Sequence, residues 1–108
     1  MSIRSEQLKQ ALIKAKEAAM LFSEVDDGGT CNFDAPTLRL ERWKKTEIEE
    51  AITGAGLRYF EHRLFGIKYY VICGGTYGQG NRRTAMAEAM SKILKNEGYE
   101  ASMYYQMD

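Results

Sequence analysis

The chain has 108 residues, and its 15 basic and 15 acidic side chains cancel to zero net charge. That length suits a single domain able to bury its own core, and 44% apolar against 28% charged residues excludes a disordered polymer. Neutrality excludes the broad positive field of a typical nucleic-acid binder, so any charged site must be local.

Residues 5 to 25, "SEQLKQALIKAKEAAMLFSEV", read as an amphipathic helix capped by Ser5. Leu8, Leu12, Ala15, Ala19, Phe22 and Val25 recur at spacings of three and four, and Ala11, Ala18, Met20 and Leu21 widen the stripe. A face this wide requires a cover. "DDGGT" ends the helix in a turn-rich loop. "TCNFD", residues 30 to 34, is the expected first strand, which Pro36 breaks or bulges because proline donates no ladder hydrogen bond. "TLRLERW" is extended without an assigned partner. Thr46 and Glu49 then form a capping box for a helix carrying Ile48, Ala51, Ile52 and Ala55, closed by Gly54 and Gly56.

"LRYFEHRLFGIKYYVIC", residues 57 to 73, predicts two strands in a hairpin turning near Phe65-Gly66. A third helix follows the loop "GGTYGQGNRRT", with Asn81 as its cap and Ala85, Met86, Ala89, Met90, Ile93 and Leu94 as its buried stripe. Gly98 ends it, and the tail makes a last strand with Ala101, Met103, Tyr105 and Met107 on one face. Residues 1 to 29 thus form a helix and turn ahead of a core, residues 30 to 108, in the order strand, helix, strand, strand, helix, strand. That order is the ferredoxin-like split βαβ pattern of an α+β domain, with crossovers long enough for parallel pairing. The first helix covers the far face of the sheet, or that face meets a second copy in a homodimer.

No stretch reaches the roughly 20 apolar residues that span a bilayer. The polar start "MSIRSEQLKQ" lacks a signal peptide's apolar segment, so the cytoplasm is the expected compartment. There Cys31 and Cys73 are expected as buried free thiols. One histidine and two distant cysteines give no zinc spacing, and neither a metal nor a cofactor is expected.

The glycine loop is the sharpest functional signal. Glycines let backbone N–H groups turn inward, and the loop ends at a helix start, where free N–H groups and the helix dipole favour negative charge. Arg82 and Arg83 fall in the first turn, where cations are unfavourable unless an anion is near. The expected site is Gly75, Tyr77, Gly78, Gln79, Gly80, Asn81, Arg82, Arg83 and Thr84. Its amides would hold phosphate, its arginines neutralise it, and Tyr77 stack on a base. The loop has neither the Gly-Lys-Ser/Thr end of a Walker A motif nor the third glycine of a Rossmann fingerprint. The alternative is a plain strand-to-helix connection with solvated arginines.

Other candidates have bland readings beside them. Asp26, Asp27 and Asp34 offer oxygens to a cation, but turn formation explains them. Glu61 and His62 are neighbours on a strand and point to opposite faces, which argues against acid–base cooperation. Trp43, between charged residues, is an anchor for its loop or an exposed contact. Tyr70, Ile72 and Tyr104 form the expected interaction face if the sheet is bare on one side. An RRM-like RNA-binding sheet shares the strand order, but the paired aromatic spacing is missing.

Three segments, "DGGTCNFDAPTLRL", "TYGQGNRRTAMAEAM" and "GYEASMYYQMD", resemble a group of small uncharacterised proteins carried by gut Firmicutes and their phages or other mobile elements. The likeness spans residues 27 to 108. It implies an accessory or counter-defence factor that acts by binding a host signalling nucleotide or a host protein. The sequence is therefore read as a non-enzymatic binding protein for a phosphorylated small molecule or nucleotide, with a protein-interaction module as the alternative.

Overall fold

The computed structural model describes residues 2–24, 28, 34–76 and 80–105. It is an α+β domain of three helices and one four-stranded antiparallel sheet, in the order α1 (Ile3–Met20), β1 (Ala35–Arg39), α2 (Lys45–Gly54), β2 (Arg58–Leu64), β3 (Ile67–Cys73), α3 (Gly80–Asn96) and β4 (Glu100–Tyr104).

The cap of α1 is Ser2, not Ser5: the Ser2 Oγ accepts from the Ser5 N–H at 3.1 Å. Ser5 is buried, and its hydroxyl donates to the Glu47 carbonyl oxygen at 2.7 Å. Leu8, Leu12, Ala15 and Ala19 form the buried stripe as expected, but the helix stops at Met20 and leaves Phe22 partly exposed. For α2 the cap is Lys44 rather than Thr46. The carboxylate that reaches back to its N–H, at 3.1 Å, is that of Glu47 and not Glu49. Both α2 and α3 end in the same device. Gly56 (φ +78) and Gly98 (φ +97) take the left-handed backbone, and the next residues, Leu57 and Tyr99, bond back to Ile52 and Leu94 at 3.0 Å.

The sheet order is β2-β3-β1-β4, and every neighbouring pair is antiparallel. Each helical crossover passes over one strand, so the parallel strands that it joins are not neighbours. The first strand lies beyond the expected segment, of which only Asp34 is among the described residues. Pro36 is inside β1, opposite Met103, and register pairs with β3 begin only at Thr37. The ring nitrogen, which has no hydrogen to donate, thus sits where β1 forms no pair with β3. Phe65 and Gly66 turn the β2–β3 hairpin with φ of +52 and +78. Positive φ at both positions matches the right-handed twist of the strands.

All three helices share one core with one sheet face. It unites Leu8 and Leu12 of α1, Ile48 and Ile52 of α2, Met86, Met90 and Leu94 of α3, and Leu38, Tyr70 and Ile72 of the sheet. α1 packs against α2 and α3, so it does not cover the far sheet face. Lys16 Nζ donates to the Ala55 carbonyl at 3.1 Å, and Lys14 pairs with Glu97 at 3.2 Å, tying α1 to both helix ends.

Candidate functional site

The glycine loop leaves β3 at Gly74 and folds inward. A Cβ added to Gly75 would lie 2.7 Å from the Met90 sulfur and 3.4 Å from Leu57. The absence of a side chain here lets the loop close onto the core. Arg83 Nη1 donates to the Thr76 hydroxyl at 3.3 Å and braces the loop across its mouth. The Asn81 N–H, one of the amides expected to hold phosphate, donates to the Gly28 carbonyl at 2.9 Å. The Thr84 hydroxyl donates to the Asp34 carboxylate at 2.5 Å.

Asp34 is 1% exposed. Its carboxylate accepts from Thr84, the fifth residue of α3, just behind the first turn. The chain supplies this negative group itself, from 50 residues upstream. Asp34 serves α3 there, whereas Asp26 and Asp27, its expected companions around a cation, lie outside the described residues. Among the described residues no group of three His, Cys, Asp or Glu is placed to hold a metal. Gly80, Asn81, Arg82, Arg83 and Thr84 are the first five residues of α3 and Gly75 faces Met90 and Leu57, while Tyr77, Gly78 and Gln79 lie outside the described residues. Asn81 is inside the helix and is not its cap.

The expected interaction face is corrected. Tyr70 and Ile72 are 8% and 1% exposed and belong to the helix-side core, whereas Tyr104 is on the other side of the sheet. Residues directly opposite on paired strands share a face. The helix-free face therefore carries Phe60, His62 and Leu64 of β2, Tyr69 and Val71 of β3, Thr37 of β1, and Ser102 and Tyr104 of β4. Rings from the two edge strands meet above the central ones. Tyr104 stands edge-on to His62 at 5.1 Å and to Phe60 at 5.7 Å. Val71, Ala35 and Thr37 are buried although no helix among the described residues covers them. Thr37 and Ser102 share a 2.5 Å hydrogen bond across β1 and β4. A concavity of about 490 Å³ opens here, lined by Thr37, His62, Leu64, Tyr69, Ser102 and Tyr104 among others.

Alternation along β3 already separated Tyr69 and Val71 from Tyr70 and Ile72. Only the position of the helices told which set was covered. Glu61 and His62 diverge as expected: Glu61 pairs with Lys68 at 3.5 Å on the helix side, and His62 joins Tyr104 on the other. On the helix side, burial first and then a hydrogen bond to Glu49 push the Tyr59 phenol up to about 12. Burial also raises the Cys73 thiol, which is free; Cys31 is outside the described residues.

Trp43 is half-buried against the core, with the Arg4 guanidinium 4.6 Å above its ring. It is the anchor for its loop. Arg4 also grips Glu47 with contacts of 2.5 to 3.1 Å, and Ser2 donates to the same carboxylate at 2.7 Å. No helix is long and apolar enough to cross a membrane among the described residues. Comparison with family models, with curated proteins and with solved structures finds no match.

Proposed function

We propose that the chain is a non-enzymatic protein-interaction module whose partner protein seats on the helix-free face of the sheet. The carrying observation is the meeting of Phe60, His62 and Tyr104 over the central strands, with no helix above them among the described residues. Phe60, Leu64 and Tyr105 around this face are 38%, 50% and 61% exposed, and Phe65 at the hairpin tip is 94% exposed. Apolar and aromatic groups gathered on one side of a small domain favour association with another protein. Zero net charge weighs against the RRM-like alternative, because phosphate backbones are bound mainly through cations. In this reading the chain is a binding factor of the accessory or counter-defence kind. The order β2-β3-β1-β4, with each helix crossing one strand, supports the finer reading of residues 35–104 as a ferredoxin-like split βαβ unit.

The test is a partner isolated on the wild chain and re-examined with Phe60→Ser and Leu64→Arg. Both side chains are exposed enough to change without opening the core. The partner is expected to be lost from these variants and kept by Arg82→Ala/Arg83→Ala. The opposite pattern would overturn the sheet-face reading.

A second reading keeps a phosphorylated small molecule, such as a nucleotide, at the glycine loop. The support is that Arg82, Arg83 and Thr84 lie at the start of α3 and that Arg83 reaches back to Thr76 of the glycine loop. Calorimetry with cyclic dinucleotides distinguishes it: affinity unchanged by Arg82→Ala and Arg83→Ala removes this site.

A further inference from the structure

A second concavity, of about 350 Å³, lies between the loop leaving β1 and the tip of the β2–β3 hairpin. Its wall holds Arg42, Arg63 and Lys68 against one carboxylate, Glu41, beside Trp43 and Tyr70. Glu41 is already held by Arg39. Lys68 pairs with Glu61 at 3.5 Å. The guanidinium groups of Arg42 and Arg63 have no carboxylate partner among the described residues.

Two features show that this charge is arranged rather than scattered. Arg63 and Lys68 are register partners across β2 and β3, so two cations stand directly opposite one another on the same face. Like charges directly opposite are destabilising; Glu61 offsets Lys68, whereas Arg63 has no carboxylate of its own among the described residues. Arg42 holds φ +66, a left-handed backbone that is uncommon for any residue with a Cβ. The Arg42 carbonyl accepts from Arg4 Nη2 at 3.2 Å, and the same Arg4 covers Trp43. The start of α1 therefore locks the loop in the shape that brings Arg42 to the wall.

We infer that this concavity binds a small phosphate-bearing ligand of mononucleotide size. Guanidinium forks match phosphate oxygens in geometry as well as charge. Trp43 is half-buried with Arg4 over its ring and leaves only its edge on this wall, and the volume falls within the range of small-ligand sites. The inference depends on neither the sheet face nor the glycine loop.

Trp43 is the sole tryptophan of the chain, so its fluorescence reports on this wall alone. Titration with adenosine 5′-monophosphate is expected to change that emission saturably, with adenosine having far less effect. Arg42→Gly keeps the left-handed backbone without strain, and Arg63 is at an exposed edge position, which Gln tolerates. The double variant Arg42→Gly/Arg63→Gln should weaken binding about tenfold or more, since two charged hydrogen bonds are lost. Arg63→Gln alone should shift it in the same direction. No saturable change at millimolar nucleotide, adenosine acting as well as its phosphate, or double-variant affinity equal to that of the wild chain would each overturn the inference.

Discussion

Glu47 takes hydrogen bonds from Arg4, Ser2 and the Lys44 amide. These donors, the Arg4 guanidinium foremost, hold its carboxyl at about 2 against a usual 4.5. A depressed pKa contributes stability that is fully present above about pH 4.5 and is lost as pH falls toward 2. Thermal melting of the wild chain and Glu47→Gln should therefore differ most near neutral pH and converge toward pH 2. A gap that does not vary with pH would show that the carboxylate is not the source. The Arg4 side of this clasp was not legible locally, because Arg4 and Glu47 are 43 residues apart. The same distance effect concealed Asp34. The misfit of Arg82 and Arg83 at a helix start was visible in the sequence, but the carboxylate beside that turn comes from another element.

At the scale of elements, local chemistry was read well where it is local. The glycines after α2 and α3 marked the helix ends, and Phe65-Gly66 marked the hairpin turn. Phe65 is nonetheless a poor choice for that turn: it holds φ +52 and is 94% exposed, whereas asparagine suits the position. Phe65→Asn should stabilise the fold by about 0.5–1 kcal/mol in urea denaturation. If the hairpin tip also touches the partner, the same variant should bind less well, the usual exchange of stability for function. Destabilisation by this substitution would mean that Phe65 packs on something within the chain. The start of β1 was misplaced for a different reason. Pro36 argues against a central strand by propensity, yet β4 pairs along all of β1 while pairing with β3 begins two residues later, at Thr37. The expected break at Pro36 lost to tertiary pairing.

Across the whole molecule the layers are unequal. One sheet face lies under the helices, and the other carries rings with no helix over them among the described residues. α1 belongs to the common core, since Leu8 and Leu12 are fully buried with Ile52, Met90 and Ile72. Leu12→Ala should then cost about 2–5 kcal/mol. Equilibrium denaturation should show that loss in a single transition of the entire domain. A separate early transition, with the remainder unaffected, would make α1 an appendage. Helix and strand types, their order and the C-terminal ends of α2 and α3 were determined by the sequence alone, because periodicity, turn glycines and hairpin residues act over a few neighbours. Only the tertiary structure decided that α1 joins the helix layer, that Tyr70 and Ile72 turn inward, and that Arg42, Arg63 and Lys68 meet beside Trp43. Alternation along a strand defines two sets of side chains, but which set is buried depends on where distant helices pack.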